Sequence, residues 1–347
     1  MKFSIIVPVY NAQHTLDRLM DSLLGQQGCA DYEILLVDDG SPDASGRMCD
    51  AYAQRDPRVR ALHQTNAGPS AARNLGLDAA QGAYVLFCDA DDWIEPDTLA
   101  VIEAALPADL LIFGVYDDVY QDGRLAASTA WKLDARAYGD PQSLLMDFHA
   151  LLTHNLLYSQ CTKVYRRAIL QRQDLRFNPA LTMGEDISFN LAYFPHAQRT
   201  FVLPRSLYHY VHVAGGGSVS SVFFPGYYEN VCQIRGQQVS LLKKWGAFHP
   251  ENELALRNFF LGRVSAAIQN ELADPQAGLA AQLRRVRAIL ASPEAQDAAL
   301  GQPTGRFHRM LAGWIRRRQS RTALAFFRAL RWAKRHAAGF VARRKGA

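Results

Sequence analysis

The stretch Val85-Leu86-Phe87-Cys88-Asp89-Ala90-Asp91-Asp92-Trp93 sets four apolar residues directly before a cluster of three carboxylates. The apolar run reads as a buried strand of a parallel sheet, whose strands are hydrophobic on both faces. Its acids then stand at the carboxyl end, where open α/β sheets bind their ligands. Carboxylates gathered at a strand end repel one another unless a positive group joins them. A hard divalent cation carrying a nucleotide phosphate answers that need.

Working outward, strand and helix signals alternate through the first third of the chain. Phe3–Val9 reads as a strand, and Leu16, Leu19, Met20, Leu23 and Leu24 keep the spacing of an amphipathic helix. Glu33–Val37 is a second strand, and Ser41-Pro42-Asp43 is expected to open the next helix, with Ser as cap and Pro at the first helical position. Val59–His63, Pro69–Ala80, Tyr84–Cys88, Asp97–Leu106 and Leu110–Tyr116 continue the series as strand, helix, strand, helix, strand. Such alternation implies a parallel sheet with right-handed crossovers. Beyond Tyr116 the pattern breaks. Residues 117–140 read as a hairpin or irregular insert, 142–171 as helical, Glu185–Phe194 as a short helix and Phe201–Val213 as strand pieces around Pro204. From about Pro225 the chain reads as helices, with a domain boundary expected near residue 222.

The 347 residues are 49% hydrophobic and 20% charged, values of a globular chain long enough for two domains. Five scattered cysteines without a C-x-x-C pair suggest reduced thiols, not a zinc site or a disulfide framework. The first apolar run is too short for a signal peptide, and no run approaches a membrane span. A cytoplasmic location is therefore expected. The net charge of +5 hides an asymmetry: residues 301–347 hold thirteen Lys or Arg and no acid, leaving 25 basic against 33 acidic residues elsewhere, a net −8.

The exit of the first strand, Pro8-Val9-Tyr10-Asn11, carries neither G-x-G-x-x-G nor a P-loop. Pro, Tyr and Asn offer a rigid turn, an aromatic wall and an amide suited to flanking a base, and equally an ordinary strand-to-helix turn. Val37-Asp38-Asp39-Gly40-Ser41 offers an acid to cap a helix or to accept from a base N–H.

Four motifs occur in order: P-V-Y-N after strand one, V-D-D-G-S after strand two, N-A-G-P-S-A-A-R-N-L-G-L from Asn66 to Leu77, and D-A-D-D from Asp89. Together they resemble the inverting family 2 glycosyltransferases of bacterial surface-polysaccharide type. The resemblance is close over residues 1–115 and looser to about 220. It implies the GT-A fold, a Rossmann-like, mostly parallel nucleotide-diphospho-sugar transferase sheet, here with a helical C-terminal extension. It also implies roles. Asp39 would bind the uracil-type base, with Pro8 and Tyr10 lining its pocket, and Arg73 would lie near the diphosphate. Asp89 and Asp91 match D-x-D, Asp89 toward ribose or metal and Asp91 as the main ligand of Mg²⁺ or Mn²⁺, with Asp92 an alternative to Asp91. Met183-Gly184-Glu185-Asp186 matches the family's E-D motif, so Asp186 resembles the general base and Glu185 holds the helix start or contacts the acceptor. Read without the resemblance, the same pair would only satisfy a helix N-terminus. Tyr208-His209-Tyr210-Val211-His212 and Gly217-Ser218 would close over the diphosphate. The family's usual Arg is missing there, with His212 a further metal or phosphate ligand in its place and Ser218 a phosphate donor.

The implied reaction moves a sugar from a nucleoside diphosphate donor, most simply a UDP-sugar, to a glycan or lipid-linked glycan. The alternatives are a nucleotidyltransferase on a related sheet, which would want a glycine-rich basic loop, or a degenerate module that only binds nucleotide. Finally, from about 305 to 342, Phe307, Met310, Leu311, Trp314 and Ile315, then Leu324, Phe327 and Leu330, form apolar stripes among arginines. Basic amphipathic helices of this kind favour anionic membrane surfaces, the competing readings being a nucleic-acid patch, a subunit-docking helix or a solvated tail. The expected location is peripheral, on the inner face of the cytoplasmic membrane.

Overall fold

The computed structural model describes residues 1–181, 183–213, 223–303 and 305–344, with side chains described as far as residue 333. Ser218 and the boundary expected near residue 222 lie outside the described residues. The chain divides into two compact units, Met1–Gly216 with Leu241–Ala247, and Gly217–Ser240 with Phe248–Ala347.

The first unit runs β1 (Phe3–Val9), α1 (Leu16–Leu24), β2 (Tyr32–Asp38), α2 (Ser45–Arg55), β3 (Val59–His63), α3 (Pro69–Ala79), β4 (Tyr84–Phe87), β5 (Trp93–Ile94), α4 (Thr98–Ala104) and β6 (Leu110–Gln121). It continues with β7 (Arg124–Trp131), β8 (Arg136–Tyr138), α5 (Pro141–Met146), α6 (Phe148–Thr153), β9 (Lys163–Arg166), α7 (Arg167–Arg172), α8 (Glu185–Tyr193) and β10 (Thr200–Val213). The strands form one sheet in the order β3-β2-β1-β4-β9-β6-β10-β5, with β7 on β6 and β8 on β10. β1, β2, β3 and β4 pair in parallel, as do β6 and β10, whereas β9 runs antiparallel between β4 and β6. The result is a mixed α/β sheet in which β1, β2, β3, β4, β6 and β10 point one way, so their carboxyl ends share one edge.

The core follows from sequence. β1 and β2 are buried almost throughout, and α1 turns Leu16, Leu19, Met20 and Leu23 onto the sheet. Gly76 lets α3 approach β1: a Cβ there would stand 2.4 Å from Ile6 Cγ2.

Two expectations need correction. The helix after β2 begins at Ser45, not at Ser41. Ser41 and Ser45 instead tie loops together, since their hydroxyls accept from the Asn11 and Ala12 amides, while Asp43 accepts from the amides of Gln13 and Ser45. The span 142–171 is also not all helical, because β9 interrupts it. Four residues carry too little periodicity to announce a strand. β9 is defined by the edges of β4 and β6 that it joins. In β10, the register slips between Val202 and Tyr208 around Pro204, which has no N–H to give the ladder.

The second unit is helical. Its first described helix is α9 (Tyr227–Lys244), of which Tyr227–Ser240 belong to this unit. α10 (Pro250–Glu271), α11 (Leu279–Ala291), α12 (Pro293–Ala298), α13 (Arg306–Arg316) and α14 (Ser320–Arg344) follow. Most of the stripe residues expected to face a membrane are part of this unit's core, while Met310 remains exposed. Leu311, Ile315, Leu324 and Phe327 are at most 4% exposed, packed with Phe260, Leu261, Val264 and Ile289. Arg316, Arg317, Arg318 and Arg321 remain exposed, and so does Trp332. Among the described residues, no helix is long and apolar enough to cross a membrane.

Candidate active site

At the carboxyl edge of the sheet, one guanidinium joins two separate motifs. Arg73 projects from α3, is 5% exposed, and stands over the Phe177 ring. Its Nη2 donates to Asp89 Oδ1 at 3.0 Å, while Nη1 faces Glu185 Oε1 at 3.3 Å and Asp186 Oδ1 at 3.4 Å. Burial opposes its charge, but the carboxylates of Asp186 and Asp89 outweigh that and raise its pKa, so it is a permanent cation. The next residue, Asn74, exchanges hydrogen bonds with the Phe177 backbone at 2.8 and 2.9 Å and fixes the segment that leads toward the E-D motif.

The three aspartates of D-A-D-D have different surroundings. Asp92 is buried: its Oδ2 accepts from the Tyr208 hydroxyl at 2.5 Å and its Oδ1 from the Val211 amide at 2.9 Å. The same Tyr208 hydroxyl accepts from the Asp89 amide at 3.1 Å. Asp91 is surface-exposed. Partial burial, with the adjacent Asp89 charge, holds its pKa above the ordinary carboxylate range, and Arg18 and His212 pull it down. Arg18, on α1, hydrogen-bonds the Asp91 carbonyl. On the far side, Trp93 stacks on His209 at 3.4 Å between ring centroids, and His209 stands between Asp118 (2.8 Å) and Glu95 (3.1 Å).

Gly184, with φ 79°, takes the left-handed turn that brings Glu185 and Asp186 to the first turn of α8. The Asp186 side chain keeps 31% of its surface open. Dense protein surrounds the rest. That burial raises its pKa to about 7, with Glu185 and Asp89 acting the same way and Arg73 and Lys163 opposing. Gln160, fully buried, fits with its amide Nε2 toward the Asp186 oxygens at 3.0 and 2.8 Å and its Oε1 toward Arg73 Nη2 at 3.0 Å.

The remaining expected residues fall nearby or apart. Asp39, 3% exposed, accepts from Gln64 Nε2 (2.7 Å) and the amides of Ala67 (2.8 Å) and Gly68 (2.9 Å), tying the α3 approach loop to the end of β2. Tyr10 is 53% exposed and Pro8 partly buried on the neighbouring strand exit, where Asn11 takes a left-handed φ of 53°. His212 Nε2 lies 2.9 Å from Asp117 Oδ1. Among the described residues, no three His, Cys, Asp or Glu side chains converge as a ready-made metal cage. Sequence reading missed Arg18, Asn74, Gln160 and Tyr208 in their site roles. Of these, only Asn74 and Tyr208 fell within motifs it had singled out.

The sheet order, with acids at the end of β4 and at the start of α8, is that of a mixed α/β fold with its candidate site at one sheet edge. Residues 4–173 match the family model for glycosyl transferase family 2, so the chain carries a domain of that family. It is 35% identical over 220 residues to the uncharacterized glycosyltransferase EpsJ of Bacillus subtilis, covering 60% of each chain. It is 29% identical over 328 residues to the succinoglycan biosynthesis protein ExoO of Rhizobium meliloti, covering 86% of this chain and 91% of that one. Poly(ribitol-phosphate) β-N-acetylglucosaminyltransferase TarS of Staphylococcus aureus is 31% identical over 229 residues, though the chain spans only 38% of its length. The crystal structure of TarS residues 1–349 with UDP-GlcNAc superposes at a TM-score of 0.65 with 23% identity, covering 95% of this chain and 92% of that one, a likeness of fold.

Proposed function

We propose that this glycosyltransferase moves a sugar from a UDP-sugar, with UDP-GlcNAc the first candidate, to a glycan or lipid-linked glycan in polysaccharide biosynthesis, in a single inverting displacement. The observation that carries the reading is the shared guanidinium: Arg73 touches both Asp89 of D-x-D and Asp186 of E-D, so donor and acceptor chemistry meet at one point.

Asp186 accepts the acceptor's hydroxyl proton. The freed oxygen lone pair forms the new bond to the anomeric carbon, and the old C–O bond breaks with its electrons leaving on the diphosphate. Glu185 holds the helix start or contacts the acceptor, and Arg73 balances the charge of both acids. Asp39 presents the loop against which the base stacks beside Pro8 and Tyr10. Three of the roughly four lone-pair positions of its carboxylate are already occupied, which leaves one edge for a base N–H.

The donor set suits a hard cation. It is all carboxylate, with Asp91 exposed and Asp89 beside it, and Mg²⁺ commonly takes one or two carboxylates and completes its shell with substrate phosphates. When bound, Mg²⁺ or Mn²⁺ neutralises charge on the leaving diphosphate. Asp89 and Asp91 would hold it, with His212 at the rim.

Peripheral attachment to the inner face of the cytoplasmic membrane is the further part of this proposal. With most of the stripe residues packed away, it rests on the exposed arginines and Trp332.

The test is a thermal-shift panel of UDP-, GDP- and dTDP-sugars with and without Mn²⁺. UDP-sugars are expected to stabilise the protein, more so with Mn²⁺, through ligand linkage. Equal response to all nucleotides, or none, overturns the donor assignment.

A further inference from the structure

We infer that Gln160 is a positioning residue for the Asp186 carboxylate, an inference that rests on Asp186 being the general base. Gln160 has no exposed surface and lies in the segment between α6 and β9. Only one orientation of its amide satisfies both ends: Nε2 then donates toward the two Asp186 oxygens, at 3.0 and 2.8 Å, and Oε1 accepts from Arg73 Nη2 at 3.0 Å. Arg73 itself stays 3.4 Å from Asp186, its stronger bond going to Asp89 at 3.0 Å. A neutral amide therefore fixes the orientation of the base and supplies donors without a full opposing charge. A close bidentate arginine would do the same while depressing the basicity that proton transfer needs.

The amide has a rigid mount. Lys163 Nζ donates to the carbonyls of Leu156 (2.7 Å) and Ser159 (2.5 Å). Asn190 Nδ2 donates to those of Leu157 (3.0 Å) and Tyr158 (2.7 Å). Four successive carbonyls ahead of Gln160 are thus held by two buried side chains, one from β9 and one from α8. The charged or titratable groups facing Asp186 include Arg73 from α3, Glu185 beside it on α8, Asp89 after β4, and Lys163 and Tyr165 on β9.

The experiment follows UDP release from UDP-GlcNAc with water as acceptor, across pH, in the full chain. Gln160→Met keeps the bulk and removes all three amide contacts. It is expected to lower kcat about tenfold, leave KM within about twofold, and move the acid limb of kcat to higher pH, because the donors that favour the ionised carboxylate are gone. Gln160→Glu, isosteric but adding a like charge, is expected to move the limb further up. A folded Gln160→Met with wild-type kcat and acid limb overturns the inference. Should Gln160→Met not fold, Gln160→Glu decides by the same criterion. Asp186→Asn in the same assay separates the two readings. Wild-type turnover there removes the base assignment, whereas an inactive Asp186→Asn beside a wild-type-like Gln160→Met removes only the role of Gln160.

Discussion

The Tyr208 hydroxyl donates to Asp92 Oδ2 at 2.5 Å, and with the Val211 amide on the other oxygen it fastens the D-x-D turn to β10. That bond divides the labour of two adjacent aspartates that look alike in sequence. Asp92 is buried and committed to holding the turn, and Asp91 is left facing outward.

Asp92→Asn and Asp91→Asn should therefore fail in different ways. Asp92→Asn is expected to lower stability by about 1–3 kcal/mol, because it disturbs a buried carboxylate bonded through both oxygens. Asp91→Asn should leave the denaturation midpoint near wild type while removing the extra stabilisation that Mn²⁺ gives with a UDP-sugar. Denaturant titration and thermal shift measure the two. A destabilised Asp91→Asn beside an unaffected Asp92→Asn would reverse the assignment.

Asp186→Asn should lower kcat by ~10²–10⁴ with donor affinity nearly intact, the range of a lost general base. In the wild type, burial raises the Asp186 pKa to about 7. A base works only when deprotonated, so kcat should decline as pH falls through about 7 and level off above it. A pH–rate profile flat from 5 to 9 would contradict this.

Arg73 is buried against Asp89, Glu185 and Asp186. Removing it leaves three carboxylates without their common cation. Arg73→Met should cost about 3 kcal/mol, at the low end for a broken buried pair because two of the partners keep solvent access, and should weaken UDP-sugar binding as well. Urea unfolding and calorimetric titration are the checks. Unchanged stability would mean that the carboxylates do not depend on it.

Lys163 supplies a pH signature of its own. Burial lowers its pKa to about 7, and the groups that accept from its ammonium are neutral oxygens. Because the folded value lies below the unfolded one, the unfolded chain holds more protons between about pH 7 and 10. Stability therefore gains from this group as pH rises through that window. Lys163→Met should show a flatter dependence of the urea midpoint on pH than wild type over that range. Parallel curves would count against it.

Cutting the chain near residue 303 would remove Leu311, Ile315, Leu324 and Phe327 from a packed core, so truncation is a poor test of membrane attachment. Replacing exposed Arg316, Arg317, Arg318 and Arg321 together by Gln leaves that core alone. Binding to vesicles rich in phosphatidylglycerol at low salt should weaken by about 1 kcal/mol per arginine that lies near the surface. Vesicle binding equal to wild type would remove the electrostatic attachment.

Local pattern determined a good deal of this protein. The apolar runs of β1, β2 and β4 and the stripe of α1 are set by residues adjacent in sequence or one helical turn apart. So is the placing of Asp89, Asp91 and Asp186 at element ends, because a strand end or helix start is written by its own neighbours. Other features depend on partners far along the chain, and only tertiary structure decided them. β9 is a strand because β4 and β6 present open edges on either side. Asp92 is structural because Tyr208, 116 positions later, reaches it. The apolar face of α13 and α14 could have met lipid or protein, and α10 and α11 cover it. Gln160 carries no mark in the sequence: it belongs to the site because Lys163 and Asn190 hold its loop where Arg73 and Asp186 meet. Hydrogen-bond partners and burial are relations between distant segments, and a one-dimensional pattern records only what each segment would do alone.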